Sequence, residues 1–239
     1  MKPQIIINQD LGFHNKDLEK SANRITQGGS WKDQSIVWIT PSADMIAAKV
    51  VWSWLYMIFP PNNRISRVLA LGQEVGEAYS NTIEGILADP NFNTYKYILT
   101  VEHDNAPEQM AVMKLLNRME QNKHISAVSA LYWTKGEGGV PQIWGDINDP
   151  IANYRPQPPI PGNLMGTYGI GMGFALWRMD MFRDKRLSRP LFKTKASSSE
   201  GVGTQDLAFC SEAAKYGYKF FVDCDCLCGH YDKENDIMW

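Results

Sequence analysis

Tyr97-Ile98-Leu99-Thr100-Val101-Glu102-His103-Asp104 is an apolar run that stops abruptly at a pair of carboxylates. A short run of this kind predicts a strand buried on both faces. Side chains alternate along a strand, so Glu102 and Asp104 are expected on one side with His103 opposite. Open α/β sheets place their ligands at the carboxyl ends of the strands. Paired carboxylates there suit a hard divalent cation, which prefers oxygen ligands.

The flanking sequence repeats the pattern. Ser35–Thr40 reads as a strand ending at Pro41, and Asp44–Phe59 as a helix with Ile46, Val50, Val51, Trp54, Leu55 and Ile58 at helical spacing, closed by Pro60-Pro61. Arg67–Leu71 is a second strand and Val75–Ala88 a second helix, weakened by Gly76 and Gly85. After the central strand, Pro107 is expected at a first helical position, with Met110, Met113, Leu116 and Met119 on the buried face. Ile125–Tyr132 is the next strand. Strands alternating with helices predict an α/β fold with a mainly parallel central sheet flanked by helices.

Beyond Tyr132 the alternation breaks. The stretch 133–166 is rich in glycine and proline and carries Trp133, Trp144 and Tyr154, which reads as a long functional loop. Gly169–Trp177 resumes strand character, and its glycines, including Gly171, mark a bend or a close backbone approach rather than a dinucleotide fingerprint. Arg183–Gly203, with Ser197-Ser198-Ser199, is a candidate loop beside a site. Thr204 is a suitable N-cap for a helix opening on Gln205-Asp206, with Leu207, Cys210, Ala213 and Ala214 on its apolar face and Gly217 at its end. Lys219–Cys224 is then a strand, followed closely by His230.

A helix of about ten residues carries the chain roughly 15 Å from Asp206, and a strand of five or six residues recovers roughly 16–20 Å. Asp206 and His230 can thus return to one end of the sheet. If Glu102 and Asp104 emerge there too, one cleft holds three carboxylates and an imidazole.

The 239 residues suffice for one α/β domain or two small ones, and 44% hydrophobic content supports a real core. A net charge of −2 points away from nucleic acid as a partner. No apolar stretch is long enough to span a bilayer, and Ile5-Ile6-Ile7 is too short for a signal-peptide core, so the expected location is cytoplasmic. Cys224, Cys226 and Cys228 alternate as strand residues sharing a face with His230; with Cys210 they read as reduced core thiols, since CxxC spacing is missing. Residues 1–34, including Gly28-Gly29-Ser30, read as an extension or cap on a domain spanning 35–239.

Taken in order, these features resemble nucleotide-sugar glycosyltransferases of the GT-A fold, family 2 and its relatives. The resemblance rests on the first strand ending in Pro41, on Glu102-His103-Asp104, on Gln205-Asp206 at a helix start followed by Leu-Ala-Phe-Cys, and on Phe-Phe-Val-Asp-Cys-Asp-Cys closing on Gly229-His230. It implies a single Rossmann-like GT-A domain, nucleotide-binding over about 35–132 and acceptor-binding over about 133–239. It implies Mn²⁺ or Mg²⁺ held by Asp104, Glu102 and His230. A UDP- or GDP-sugar donor would be held by Pro41, Ser42, Asp44, Gln73, Asn81, Glu102 and His103. The acceptor would be a hydroxyl of a glycan, lipid, protein or other molecule, near Trp133, Trp144, Tyr154, Gly171 and Gln205, with Asp206 as the catalytic base. The chain departs from the pattern in Glu102, where the family has aspartate, and in Ser80-Asn81, where many members have Arg-Asn; a basic contact to the donor is then either missing or supplied elsewhere, by Lys49 or Arg178.

A sugar-nucleotide nucleotidyltransferase would share the sheet and the carboxylates. It would also want a glycine-rich basic loop after the first strand, where this chain has Pro-Ser-Ala-Asp. A non-catalytic carbohydrate- or nucleotide-binding protein of the same fold is the remaining alternative.

Overall fold

The structure, a computed structural model, describes residues 4–9, 32–61, 63–194 and 204–239. Gly28–Ser30 and Ser197–Ser199 lie outside the described residues. A twisted sheet forms the centre, in the order β1 (Gln4–Gln9), β3 (Ile65–Leu71), β2 (Ile36–Ser42), β4 (Tyr97–Val101), β10 (Phe174–Arg178), β6 (Ala127–Leu131), β11 (Phe220–Asp232) and β12 (Ile237–Met238). β2 runs parallel to β3 and β4, and β11 parallel to β6. β10 inserts antiparallel between β4 and β6, and β1 is an antiparallel edge. The sheet is therefore mixed rather than mainly parallel. Local periodicity predicts strands but not which neighbour each one takes.

Both faces of the sheet are covered, which is why β2, β4 and β6 are buried along their whole length. Val37, Ile39 and Ile98 point into one apolar cluster with Trp177, Phe182, Phe192, Phe209 and Phe220. Ile36, Trp38, Leu99 and Val101 point into the other, with Leu115, Leu116 and Met119. α2 (Val75–Ala88) and α5 (Gln205–Ala214) face the first cluster, and α3 (Ala111–Gln121) the second. Arg118 of α3 grips buried Asp223 of β11 through Nε–Oδ2 at 2.9 Å and Nη2–Oδ1 at 3.0 Å. This fork ties α3 to the strand that carries His230.

Several boundaries differ from the sequence reading. α1 covers only Ala48–Tyr56, because Asp44 has φ 146° and Ala47 is extended, neither of which a helix accepts. Val50 is its one buried side chain, while Trp52 and Leu55 are largely exposed. Pro41 lies within β2, not after it: the ladder to β4 ends at Ile39, so the missing N–H of Pro41 costs no bond on that side. Pro107 belongs to β5 (Asn105–Pro107), paired with β11, and α3 starts four residues later. Met110 is consequently exposed. The long loop contains β7 (Ile143–Trp144) and the start of β8 (Leu164–Thr167), and Gly169–Trp177 divides into β9 (Gly169–Ile170) and β10. α4 (Met179–Phe182) follows at once.

β11 is far longer than the expected Lys219–Cys224, with a register shift between Asp223 and Leu227. The shift sends Cys224 into the first cluster and Cys226 and Cys228 into the second, so the three do not share a face. All four cysteines are free and buried. Among the described residues no helix is long and apolar enough to cross a membrane.

Candidate functional site

The parallel strands β2, β4, β6 and β11 end at one edge of the sheet, and the carboxylates gather there. β4 stops at Val101, so strand alternation no longer governs the next residues. The Glu102 N–H donates to Gly173 O (2.9 Å), and the Asn105 N–H closes a turn onto Glu102 O (3.0 Å). This turn brings His103 round to line the same pocket as Asp104 instead of facing away. β11 passes directly over it: His230 pairs with Asn105 in register, and the Tyr231 N–H donates to Asp104 O (2.7 Å). The extension of β11 beyond its bulge is thus what delivers His230 to the motif.

Asp104 is the most heavily contacted carboxylate. Its Oδ2 lies 3.4 Å from His230 Nε2 and 2.5 Å from Lys135 Nζ. Burial pushes the Asp104 carboxyl up, but hydrogen bonds from His230 and Lys135 outweigh it and hold the group well below the usual carboxylate range. Its Oδ1 is buried without a hydrogen-bond partner among the described residues. His230 Nδ1 sits 2.7 Å from Trp133 O. That carbonyl only accepts, so Nδ1 carries a proton and Nε2 is the nitrogen turned toward Asp104. With a proton, Nε2 supports the Asp104 anion; without one, facing lone pairs make a seat for a cation.

Glu102 behaves differently. Burial, then repulsion from Asp104 and Asp206, pushes its carboxyl up to about 8, so at neutral pH it holds its proton. Asp206 occupies the first turn of α5, where its Oδ1 accepts the Leu207 N–H at 2.8 Å. Burial raises its pKa against hydrogen bonds from Thr204 and the backbone that lower it. Buried Tyr79 and Tyr132 lie within electrostatic reach of both Glu102 and Asp206, which places all four groups in one neighbourhood. The Tyr132 hydroxyl accepts the Gly173 N–H at 2.9 Å. A Cβ on Gly171 would stand 2.1 Å from that hydroxyl, so the glycine is required by close approach.

An open cavity of about 330 Å³ lies beside the turn, lined by Asp44, Met45, His103, Asp104, Lys135, Tyr231 and Lys233, among others. Asp44, two residues beyond β2, is strained, and observed strain of this kind collects at functional positions. Ser42 Oγ accepts the Asp44 N–H at 3.2 Å, with Pro41 just behind. Gln73 and Asn81 are joined to each other (Nδ2 to Oε1, 2.9 Å). Ser80 is buried and binds the backbone of Phe192 through both its donor and its acceptor, a structural task. Arg178 pairs with Tyr97 at the far end of β4 and donates to Ile125 O and Met119 O, so it does not reach this edge. Lys49 pairs with Asp236.

Trp133, Trp144 and Tyr154 do not line the cavity. Trp133 packs against the first cluster, Trp144 Nε1 donates to Gln142 Oε1 (2.9 Å), and Tyr154 leans on Tyr168. Gln205 is the first residue of α5, packed near Gly76. Lys135, Tyr231 and Lys233 were not singled out from sequence. Lys135 lies in the glycine-rich stretch after β6, where no periodicity points to a role.

Among the described residues no trio of His, Cys, Asp and Glu side chains forms a metal-holding cluster. Glu102 does not join Asp104 and His230 in one. The latter two still fit a dication of the kind that takes only one or two protein ligands and completes its shell with phosphate and water, because Asp104 Oδ1 is unpartnered and His230 Nε2 is aimed at the same carboxylate.

No protein-family profile matches the chain, and no curated protein does. Solved structures do. A197 from STIV aligns with a TM-score of 0.59 at 11% identity, covering 85% of this chain and 92% of that one. GalNAc-T7, solved with UDP, GalNAc and Mn²⁺, aligns with a TM-score of 0.55 at 10% identity, covering 83% of this chain but only 44% of that one. At such identities the likeness shows the fold alone: the chain distantly shares a glycosyltransferase-like, GT-A-like fold.

Proposed function

We propose that this protein transfers a sugar from a nucleotide-diphosphate donor to an acceptor hydroxyl. What supports the reading is the Asp104–His230 pair, 3.4 Å apart at the carboxyl ends of the strands, with one buried Asp104 oxygen unpartnered and Asp206 near enough to push up the Glu102 carboxyl. The UDP, GalNAc and Mn²⁺ held by GalNAc-T7 support this choice of ligand chemistry.

In this reading residues 35–132 hold the donor and 133–239 the acceptor. Pro41, Ser42 and Asp44 flank the nucleoside, and protonated Glu102 is a hydrogen-bond donor to its ribose. Asp104 and His230 would hold Mn²⁺ or Mg²⁺. The bound cation supplies Lewis-acid stabilisation of the negative charge that grows on the departing diphosphate. Asp206 takes the proton from the acceptor hydroxyl. Its raised pKa makes it a stronger base than an ordinary aspartate, and positioned general bases contribute roughly 10²–10⁴-fold.

The test is a panel of UDP-, GDP- and dTDP-sugars with Mn²⁺, read as release of nucleoside diphosphate. At least one donor is expected to be consumed, and Asp104→Asn should abolish metal-dependent donor binding. No release from any donor, together with no metal-dependent nucleotide binding, defeats the proposal in favour of a non-catalytic protein of the same fold.

A further inference from the structure

The cation already resting on Asp104 is not explained by the reading above. Lys135 Nζ is 2.5 Å from Asp104 Oδ2, and the lysine side chain is one-third exposed on a glycine-rich turn that runs through Gly136 and Gly138. Its ammonium therefore occupies the carboxylate that a dication would need. The same cavity holds a second lysine, Lys233, with no ion-pair partner among the described residues, and His103. Lys135 and Lys233 thus line one cavity.

We propose that Lys135 is a displaceable counter-cation. It neutralises Asp104 while the site is empty and moves onto the donor diphosphate when a divalent cation takes the carboxylate. The inference rests on the glycosyltransferase reading and deepens it. Two cations on the two oxygens of one carboxylate repel at close range, so a dication at Oδ1 and the ammonium at Oδ2 oppose each other there. A diphosphate gives the displaced ammonium a new anion within reach. Lysine suits this exchange, since its ammonium is a compact charge on a flexible stem with no fixed fork geometry to break. The consequence is ordering: the metal alone binds weakly, and metal with nucleotide binds well, because only the nucleotide receives the lysine.

Calorimetric titration of the full chain tests this, first with MnCl₂ alone and then with UDP at saturating Mn²⁺. Lys135→Gln is expected to bind Mn²⁺ alone about tenfold more tightly than wild type, the worth of one charge-assisted hydrogen bond that no longer has to be broken. The same variant should bind UDP about tenfold more weakly, having lost the lysine's phosphate contact. Lys135→Arg, which keeps the charge, should stay close to wild type in the first titration. Lys135 is a surface loop residue, and matching circular dichroism melts establish that each variant is folded. Unchanged or weaker Mn²⁺ binding by Lys135→Gln overturns the proposal, as does unchanged UDP affinity. Asp104→Asn separates the two levels. If it loses Mn²⁺ while Lys135→Gln behaves as wild type, only the lysine exchange is wrong. If it keeps Mn²⁺, the role of Asp104 fails, and the exchange with it.

Discussion

Glu102→Gln should flatten the dependence of stability on pH. The glutamate's carboxyl sits at about 8 in the folded protein, against its ordinary 4.5, because burial and then the charges of Asp104 and Asp206 oppose its ionisation. Between those two values the folded state binds a proton that the unfolded state has released. Stability contributed by the neutral carboxyl is therefore complete below about pH 4.5 and is lost progressively as pH rises toward 8. Each pH unit inside the window costs about 1.4 kcal/mol, so the whole window is worth on the order of 5 kcal/mol. Glutamine keeps the shape and the capacity to donate while removing the titration. Urea unfolding midpoints from pH 5 to 9, in a chelating buffer so that only side chains titrate, measure the effect. Wild type should fall steeply across the range, and the variant should fall far less. Parallel curves for the two proteins would show that Glu102 ionises normally and that the three carboxylates do not share a neighbourhood.

Asp206→Asn should keep donor affinity, measured by nucleotide titration, and lose transfer by about 10²-fold or more; near-full transfer would remove Asp206 from the base's role. Arg118→Met should lower stability by about 3 kcal/mol, because Asp223 is left buried without its cation, and a thermal melt reads it directly. Gly171→Ala drives a methyl into the Tyr132 hydroxyl and should cost about 1–3 kcal/mol as overpacking. Tyr132→Phe in the same chain should restore part of that loss, and no restoration would show that the hydroxyl is not the obstacle.

Much of the sheet was legible because its strands are buried on both faces and read as continuous apolar runs. Val75–Ala88 is a helix with the boundaries the spacing predicts, and Tyr97–Val101 and Ala127–Leu131 fall inside the predicted strands. The antiparallel insertion of β10 was not legible, since the bend that starts it comes from Gly171 and Gly173 clearing the hydroxyl of Tyr132, a residue about forty positions upstream. α1 was overextended for a different reason. Its apolar residues satisfy helical spacing, but Asp44 departs from helical φ, and of the stripe only Val50 is buried while Leu55 and Ile58 stay exposed. Periodicity records which residues could be buried together, and only tertiary packing decides which are.

At the site, residue types were legible and their charge states were not. Three carboxylates share one neighbourhood, and each escapes its neighbours by a separate route. Asp104 stays anionic because Lys135 and His230 sit against it. Glu102 stays neutral because burial opposes its charge and two anions face it, Lys135 helping only at a distance. Asp206 has neither solution. Its partners are Thr204 and backbone N–H groups, with no cation among the described residues and a pKa raised by burial. A carboxylate whose charge is opposed by burial and supported by hydrogen bonds alone gains the most from receiving a proton. In the proposed transfer reaction, Asp206 is therefore the candidate to receive the acceptor's proton, whereas Glu102 already carries one and Asp104 is held too acidic to accept it.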